Sequence, residues 1–144
     1  MLITQKVKEF LGTNLLKIIN SPDSIESFQI SPRKAEGSNT LEGYPVIKIL
    51  PKLNKDQMQL LISIILDEKT YNFNEAKKCP FVAEFAYRFK SGTDSAVLLI
   101  SPSCDVLQFL SSDKKMAEDY DGTEDSKMKM RGLLDELKKS GGIL

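Results

Sequence analysis

Two cysteines, Cys79 and Cys104, are the residues whose type and spacing come closest to a chemical site. They lie on either side of a predicted β-hairpin, in which a strand over 79–90 is followed by a return strand over 96–100. Residues that share a face on neighbouring antiparallel strands come within a few ångströms of each other. The sequence therefore predicts that the two thiols are close neighbours.

The register of this hairpin decides how close the thiols lie. A two-residue loop of Ser91 and Gly92 pairs Cys79 with Cys104 directly. A four-residue loop shifts the pairing by two positions and places Cys104 opposite Phe81. Both registers keep the thiols on one face of the sheet, and both remain open at this point.

Three interpretations of the cysteine pair follow: two small buried apolar side chains, a disulfide, or a reactive or metal-binding thiol pair. Free cysteine is among the most buried residue types, which favours the first interpretation. A disulfide requires an oxidising compartment. A zinc site requires two further ligands, and without histidine these would have to be carboxylates, which is uncommon. We therefore predict no metal and no cofactor.

Composition excludes several classes of enzyme. The chain has 144 residues with 20 Lys+Arg, 20 Asp+Glu and no His, so its formal net charge is zero. The absence of histidine excludes Ser-His-Asp and Cys-His triads, His-ligated zinc and proximal-His haem. No phosphate-binding or dinucleotide-binding glycine motif is present. We predict no catalytic residue, and the sequence favours a protein that is not an enzyme.

An acidic segment near residue 120 has the outline of a calcium-binding loop. Asp119, Asp121 and Asp125 fall on three of its ligand positions. Ala117 and Met128 occupy the first and last positions, where such a loop needs carboxylates. The sequence therefore favours a solvated acidic turn before a helix.

The first half of the chain predicts a helix and two strands. Apolar residues at steps of three and four indicate a helix over 2–19, with Thr4 as its N-cap and a bend at Gly12. Alternation indicates a strand over 24–31. After a polar loop, a second strand is expected over 44–50, and the prolines that bound it suggest an edge position.

A second helix is predicted over 54–67, with Asn54 and Gln57 forming a capping box. Between Met58 and Leu66 only Gln59 and Ser63 are polar, so the polar stripe is one residue wide. A helix this apolar must be covered on most of its circumference. We expect it either to lie across the sheet as the central helix or to bury one flank against a second copy of the chain.

The clearest pattern is an alternation of aromatic residues over 81–90. We expect one parity to face the core and the other to face solvent, although aromatic sheets also stack nucleobases in some RNA-binding folds. The core-facing set is predicted to be Phe81, Ala83, Phe85, Tyr87 and Phe89, and the solvent-facing set to be Glu84, Arg88 and Lys90.

A C-terminal helix is predicted to begin after Thr123 and to end before Gly141. Its apolar stripe consists of Met130, Leu133, Leu134 and Leu137.

The segment from Tyr71 to Phe109 resembles a pattern found in small bacterial proteins whose function is not established. The resemblance is carried by Tyr71, Lys78-Cys79-Pro80-Phe81, the strand over 85–89, and Cys104-Asp105. It implies a hairpin with two cysteines near its open end. In relatives that are exported, this pair could be oxidised. It implies no activity and no catalytic residue.

These elements predict one α+β domain over residues 1–144. We expect a mostly antiparallel sheet of four or five strands, packed by the apolar helix 54–67 together with the N- and C-terminal helices. No leader and no membrane span is evident, so we expect a cytoplasmic protein with reduced thiols.

The first functional hypothesis is a non-enzymatic interaction or scaffold module that forms a homo-oligomer or binds another protein, because zero net charge does not oppose self-association. The alternative is a thiol-based redox or metal-handling protein that uses Cys79 and Cys104. A third and weaker hypothesis is a nucleic-acid contact. It rests on Arg33, Lys34, Lys48 and Lys52. Balanced charge argues against this contact and against a membrane.

Overall fold

The computed structural model describes residues 3–37, 39–71, 81–102, 106–111, 115–119 and 124–140. The helices in these ranges are α1 (Gln5–Asn20), α2 (Lys55–Ile65) and α3 (Glu124–Ser140), with a short 3-10 helix at Glu68–Thr70. The strands are β1 (Ser24–Ile30), β2 (Thr40–Leu41), β3 (Tyr44–Leu50), β4 (Phe85–Ser91), β5 (Asp94–Ser101), β6 (Val106–Leu110) and β7 (Lys115–Asp119).

The strands form an antiparallel sheet, which confirms the α+β class. Over the described ranges the order is β2-β3-β1-β4-β5-β6-β7, in which β2 contributes only a two-residue pairing to β3 and the other six form the main ladder. The predicted number of four or five strands is therefore wrong. Strand β7 was missed because its sequence, Lys-Met-Ala-Glu-Asp, has no apolar alternation and is recognised only by its backbone pairing with β6.

One face of the sheet carries the main core beneath the helices. The buried strand residues of this core are Ile25, Leu50, Phe85, Tyr87, Phe89, Ala96, Leu98, Ile100, Leu107 and Phe109. The predicted stripe of α3 is confirmed, since Met130, Leu133, Leu134 and Leu137 are all buried. At Phe85, Tyr87 and Phe89 the alternation in the sequence therefore identifies side chains of the core beneath the helices.

The helix that contacts the central strands is α1, not α2. Helix α1 packs on β4 and β5, while α2 packs mainly against α3 and the 3-10 helix. Leu61, Ile64 and Ile65 of α2 enter the main core, but Leu60 and Ile62 remain half-buried. The apolar composition of α2 thus reflects helix-to-helix packing beside the sheet rather than a central position across it.

The second face of the sheet has a smaller apolar cluster of its own, which the sequence did not predict. Its buried members are Phe28, Ile30, Leu41, Tyr44, Ala83, Ala86, Val97 and Leu99, with Val46, Phe81 and Leu110 half-buried against it. Phe81 and Ala83 were predicted to share a face with Phe85. The structure corrects this, because β4 begins only at Phe85 and the simple alternation does not extend upstream of it.

Local signals fix the helix ends. Asn54 Oδ1 accepts a hydrogen bond from the Gln57 N–H at 2.8 Å, and Gln57 Oε1 accepts from the Asn54 N–H at 2.9 Å, which confirms the capping box. At the other end, buried Tyr71 donates its hydroxyl to the Ile65 carbonyl at 2.6 Å. Thr4 is the N-cap of α1, although its side chain makes no capping hydrogen bond.

Candidate functional site

The two cysteines singled out by the sequence lie outside the described residues. The hairpin between them is described, and its turn is Gly92–Thr93 rather than Ser91–Gly92. Lys90 therefore pairs with Ser95. This pairing is the one expected from the four-residue loop, although the loop itself has only two residues because Ser91 pairs with Asp94. Gly92 takes the positive φ of 61° that such a tight turn requires.

The four basic residues suggested for nucleic acid have different surroundings. Lys34 Nζ lies 5.3 Å from the centre of the Tyr44 ring, and its methylene carbons pack close to Gly43. Lys48 lies on β3 opposite Gln29, and both Arg33 and Lys52 are exposed. Over the described ranges no group of acidic, cysteine or histidine side chains is placed to hold a metal ion.

Strand β3 presents two large apolar side chains to solvent. Ile47 is 60% exposed and Ile49 is 69% exposed. The prolines at 45 and 51 predict an edge strand. In the structure β3 pairs with β1 on its inner side, and on its outer side only with the two-residue strand β2, at residues 44 and 45. Exposed isoleucines on a sheet edge are unusual in a monomeric protein, because such an edge can pair with a strand of another molecule.

The backbone of Ile49 points away from the sheet. The Ile30 N–H donates to the Glu84 carbonyl, so alternate residues of β1 bond to β4 and the intervening ones bond to β3. The register pairs Gln29 with Lys48. Ile49 therefore directs its N–H and carbonyl to the outer side, where no other strand in the described part of the chain pairs with it.

An ionic cluster lies on β1 and β4, the two strands next inward from β3. Arg88 Nε is 2.8 Å from Glu26 Oε1, and Lys90 Nζ is 3.2 Å from the same oxygen. The Arg88 hydrogen bond lowers the pKa of the Glu26 carboxyl, with partial burial opposing it and Lys90 assisting. The contribution of this cluster to stability is therefore present at neutral pH and is lost as the pH falls through the lowered pKa.

The ionic cluster is joined to the exposed edge through Phe28. The Arg88 guanidinium lies 5.2 Å from the centre of the Phe28 ring, and Phe28 is the β1 partner of Ile49. We call residues 47–49 of β3 the open edge. Sequence reasoning identified the strand as an edge but gave no signal that its isoleucines are exposed.

Comparison with known proteins shows a similar fold but assigns no family. No protein-family model matches the chain, and a search of curated proteins finds no significant match. A solved structure described as "Putative Lipoprotein from Clostridium perfringens" is similar, with a TM-score of 0.51 and 12% sequence identity. The alignment covers 88% of this chain and 91% of that one. At this identity the similarity concerns the α+β architecture alone.

Among the described residues, no helix is both long and apolar enough to cross a membrane.

Proposed function

We propose that this protein is a non-enzymatic interaction module that pairs with a second copy of itself through the open edge of β3. The observation that supports the proposal is the exposure of Ile47 and Ile49 beside the outward-facing backbone of Ile49. Two such edges, brought together antiparallel, would continue the sheet from one copy into the other. Each would satisfy the backbone groups of the other and cover its isoleucines.

Charge and register favour a second copy over an unrelated strand. Pairing Ile49 with Ile49 of the second copy sets Lys48 opposite Leu50 of that copy, so no like charges face each other. Moving the register by two residues pairs Lys48 with its own counterpart, which is unfavourable. The net charge of zero leaves no long-range repulsion between copies.

The affinity is expected to be modest. Fully burying an isoleucine contributes roughly 1.5–3 kcal/mol, and the proposed pairing buries about four of them. Association costs roughly 4–15 kcal/mol in lost freedom of motion, so only part of this gain remains. We therefore expect a dissociation constant of about micromolar order or weaker rather than an obligate dimer.

Ile49→Lys is expected to abolish self-association without unfolding the chain. Lysine is tolerated on a solvent-exposed strand, but its charge cannot be buried between two copies. Sedimentation velocity over a concentration series should show a monomer–dimer equilibrium for the natural chain and a monomer for the variant.

Met128→Lys is the matched control for this experiment. Met128 on α3 is 69% exposed, the same fraction as Ile49, but it lies on a helix rather than on a sheet edge. This variant should dimerise like the natural chain. A natural chain that stays monomeric at high concentration, or equal loss of dimer in both variants, would show the proposal to be wrong.

Thiol chemistry at Cys79 and Cys104 is a second candidate function. The described residues on either side support it, since the Val82 N–H donates to Ser101 Oγ at 3.0 Å. The chain segments that lead to the two cysteines are therefore adjacent. We propose a cytoplasmic location with both thiols reduced, in which case the pair could be oxidised reversibly.

Thiol titration tests this candidate. If the pair is reactive, two thiols in the folded protein should react with a disulfide reagent at neutral pH, and a mild oxidant should remove both together. The Cys79→Ser variant should retain one thiol that mild oxidant does not remove by internal pairing. Thiols that react only after denaturation, without copurifying metal, exclude the redox and metal-handling interpretation and favour the buried apolar pair.

A further inference from the structure

A cleft opens where β5 extends beyond β6. Strand β5 begins at Asp94, but its pairing with β6 begins only at Val97. The cleft formed there has a volume of about 490 Å³ and is bordered by α1 on one side and by the β2–β3 turn on the other. Small-molecule sites in proteins have volumes of roughly 300–1,000 Å³, so this one could hold a small metabolite.

The cleft is lined by charges of both signs. Lys17 of α1 supplies a cation, while Glu42 of the turn and Asp94 of β5 supply two anions. None of the three pairs with another charged side chain within the described ranges. Ile18 and Val97 also line the cleft, and both are buried. As far as the described part of the chain goes, all three charges are therefore open to a ligand.

Glu42 occupies a backbone position that disfavours it. It is the first residue of a two-residue turn with Gly43, and the φ angles of the pair are 51° and 87°. Asparagine, aspartate and glycine are the usual residues in such a turn because a side chain like that of glutamate is strained at positive φ. Among the described residues Glu42 is the non-glycine residue with this conformation. A strained residue that lines a cleft points to a role for its carboxylate there.

We propose that this cleft binds a zwitterionic small molecule of the amino-acid class, either a free amino acid or a dipeptide. The carboxylates of Glu42 and Asp94 would bind the protonated amine, and Lys17 would bind the carboxylate. A metal ion is a poorer match, because the Lys17 ammonium would oppose it and only two carboxylates are present. The cleft and the open edge of β3 involve different residues, so this proposal stands apart from self-association.

Titration calorimetry on the full chain with L-leucine and L-leucyl-L-leucine tests the ligand class. We expect saturable binding of at least one of them. N-acetyl-leucine lacks the charged amine and leucine amide lacks the carboxylate, so each should bind roughly 10-fold more weakly, or worse, than leucine. The absence of leucine and dileucine binding, or equal binding of the blocked analogues, overturns the proposal.

Glu42→Asn separates a ligand role from a structural one. Asparagine suits the turn better, so the variant should melt at a higher temperature while it binds the ligand about 10-fold more weakly. Lys17→Gln should weaken binding by a similar factor. Lys8→Gln, an exposed position on the first half of α1, is the control and should leave binding unchanged. Undiminished binding in the Glu42 and Lys17 variants contradicts the proposed site.

Discussion

Phe109→Ala is expected to lower the free energy of unfolding by about 3–5 kcal/mol. Phe109 on β6 is fully buried, and its ring meets that of Phe10 edge to face with centroids 5.8 Å apart. The Phe10 ring in turn lies 5.0 Å from that of Tyr71. The truncation therefore opens a cavity at the place where the sheet, α1 and the segment after α2 meet.

The size of this effect depends on the site, and a second phenylalanine measures that dependence. Phe81 is only half-buried, on the opposite face of the sheet. Phe81→Ala removes the same atoms but leaves a site that water can fill, so we expect less than half the loss of stability. Urea unfolding measures the loss of stability in each variant, and the two losses are comparable if the slope m is the same in both. Equal losses in both variants would contradict the assignment of Phe109 to the centre of the core.

The parts of the fold that the sequence predicted correctly are those set by neighbours along the chain. The Asn54–Gln57 capping box and the buried stripe of α3 arise from residues three or four positions apart, and both are present in the structure. The edge position of β3 was indicated by two prolines that lack a donor. These signals act within a turn or two of helix or a few residues of strand.

The parts that the sequence did not predict depend on distant pairings. Strand β7 is defined by its contact with β6, and its own residues carry no strand pattern. Ala86 of β4 is buried on the second face, although the alternation of β4 indicated a half-exposed strand. That burial depends on residues of the β2–β3 hairpin, Leu41 and Tyr44, which are far away along the chain.

The candidate sites follow the same division. Exposure of Ile49 results from how little of β3 is covered by β2, and the cleft at Glu42 results from the unequal lengths of β5 and β6. Neither depends on a local motif. The cysteine pair, by contrast, was proposed from spacing alone, so its test depends on thiol chemistry rather than on fold.

Gly12→Ala is expected to lower the free energy of unfolding by about 1–3 kcal/mol. Gly12 has φ 78° and ψ 167°, a conformation that is essentially restricted to glycine, and it separates the two halves of α1. Leu11 and Leu15 lie on either side of this kink, and both are buried in the main core. An alanine here must either remain strained or straighten the helix, and straightening would pull one of the two leucines out of its place.

Gly132→Ala provides a control of opposite sign. Gly132 lies on the exposed side of α3 in regular helix, and a Cβ built there meets no atom within 4 Å. Alanine should therefore stabilise the protein by about 0.5–1 kcal/mol, because it reduces the freedom of the unfolded chain. Thermal unfolding of the two variants should give shifts in opposite directions. If Gly12→Ala were as well tolerated as Gly132→Ala, the two halves of α1 could pack on the sheet without the kink, and the prediction would be wrong.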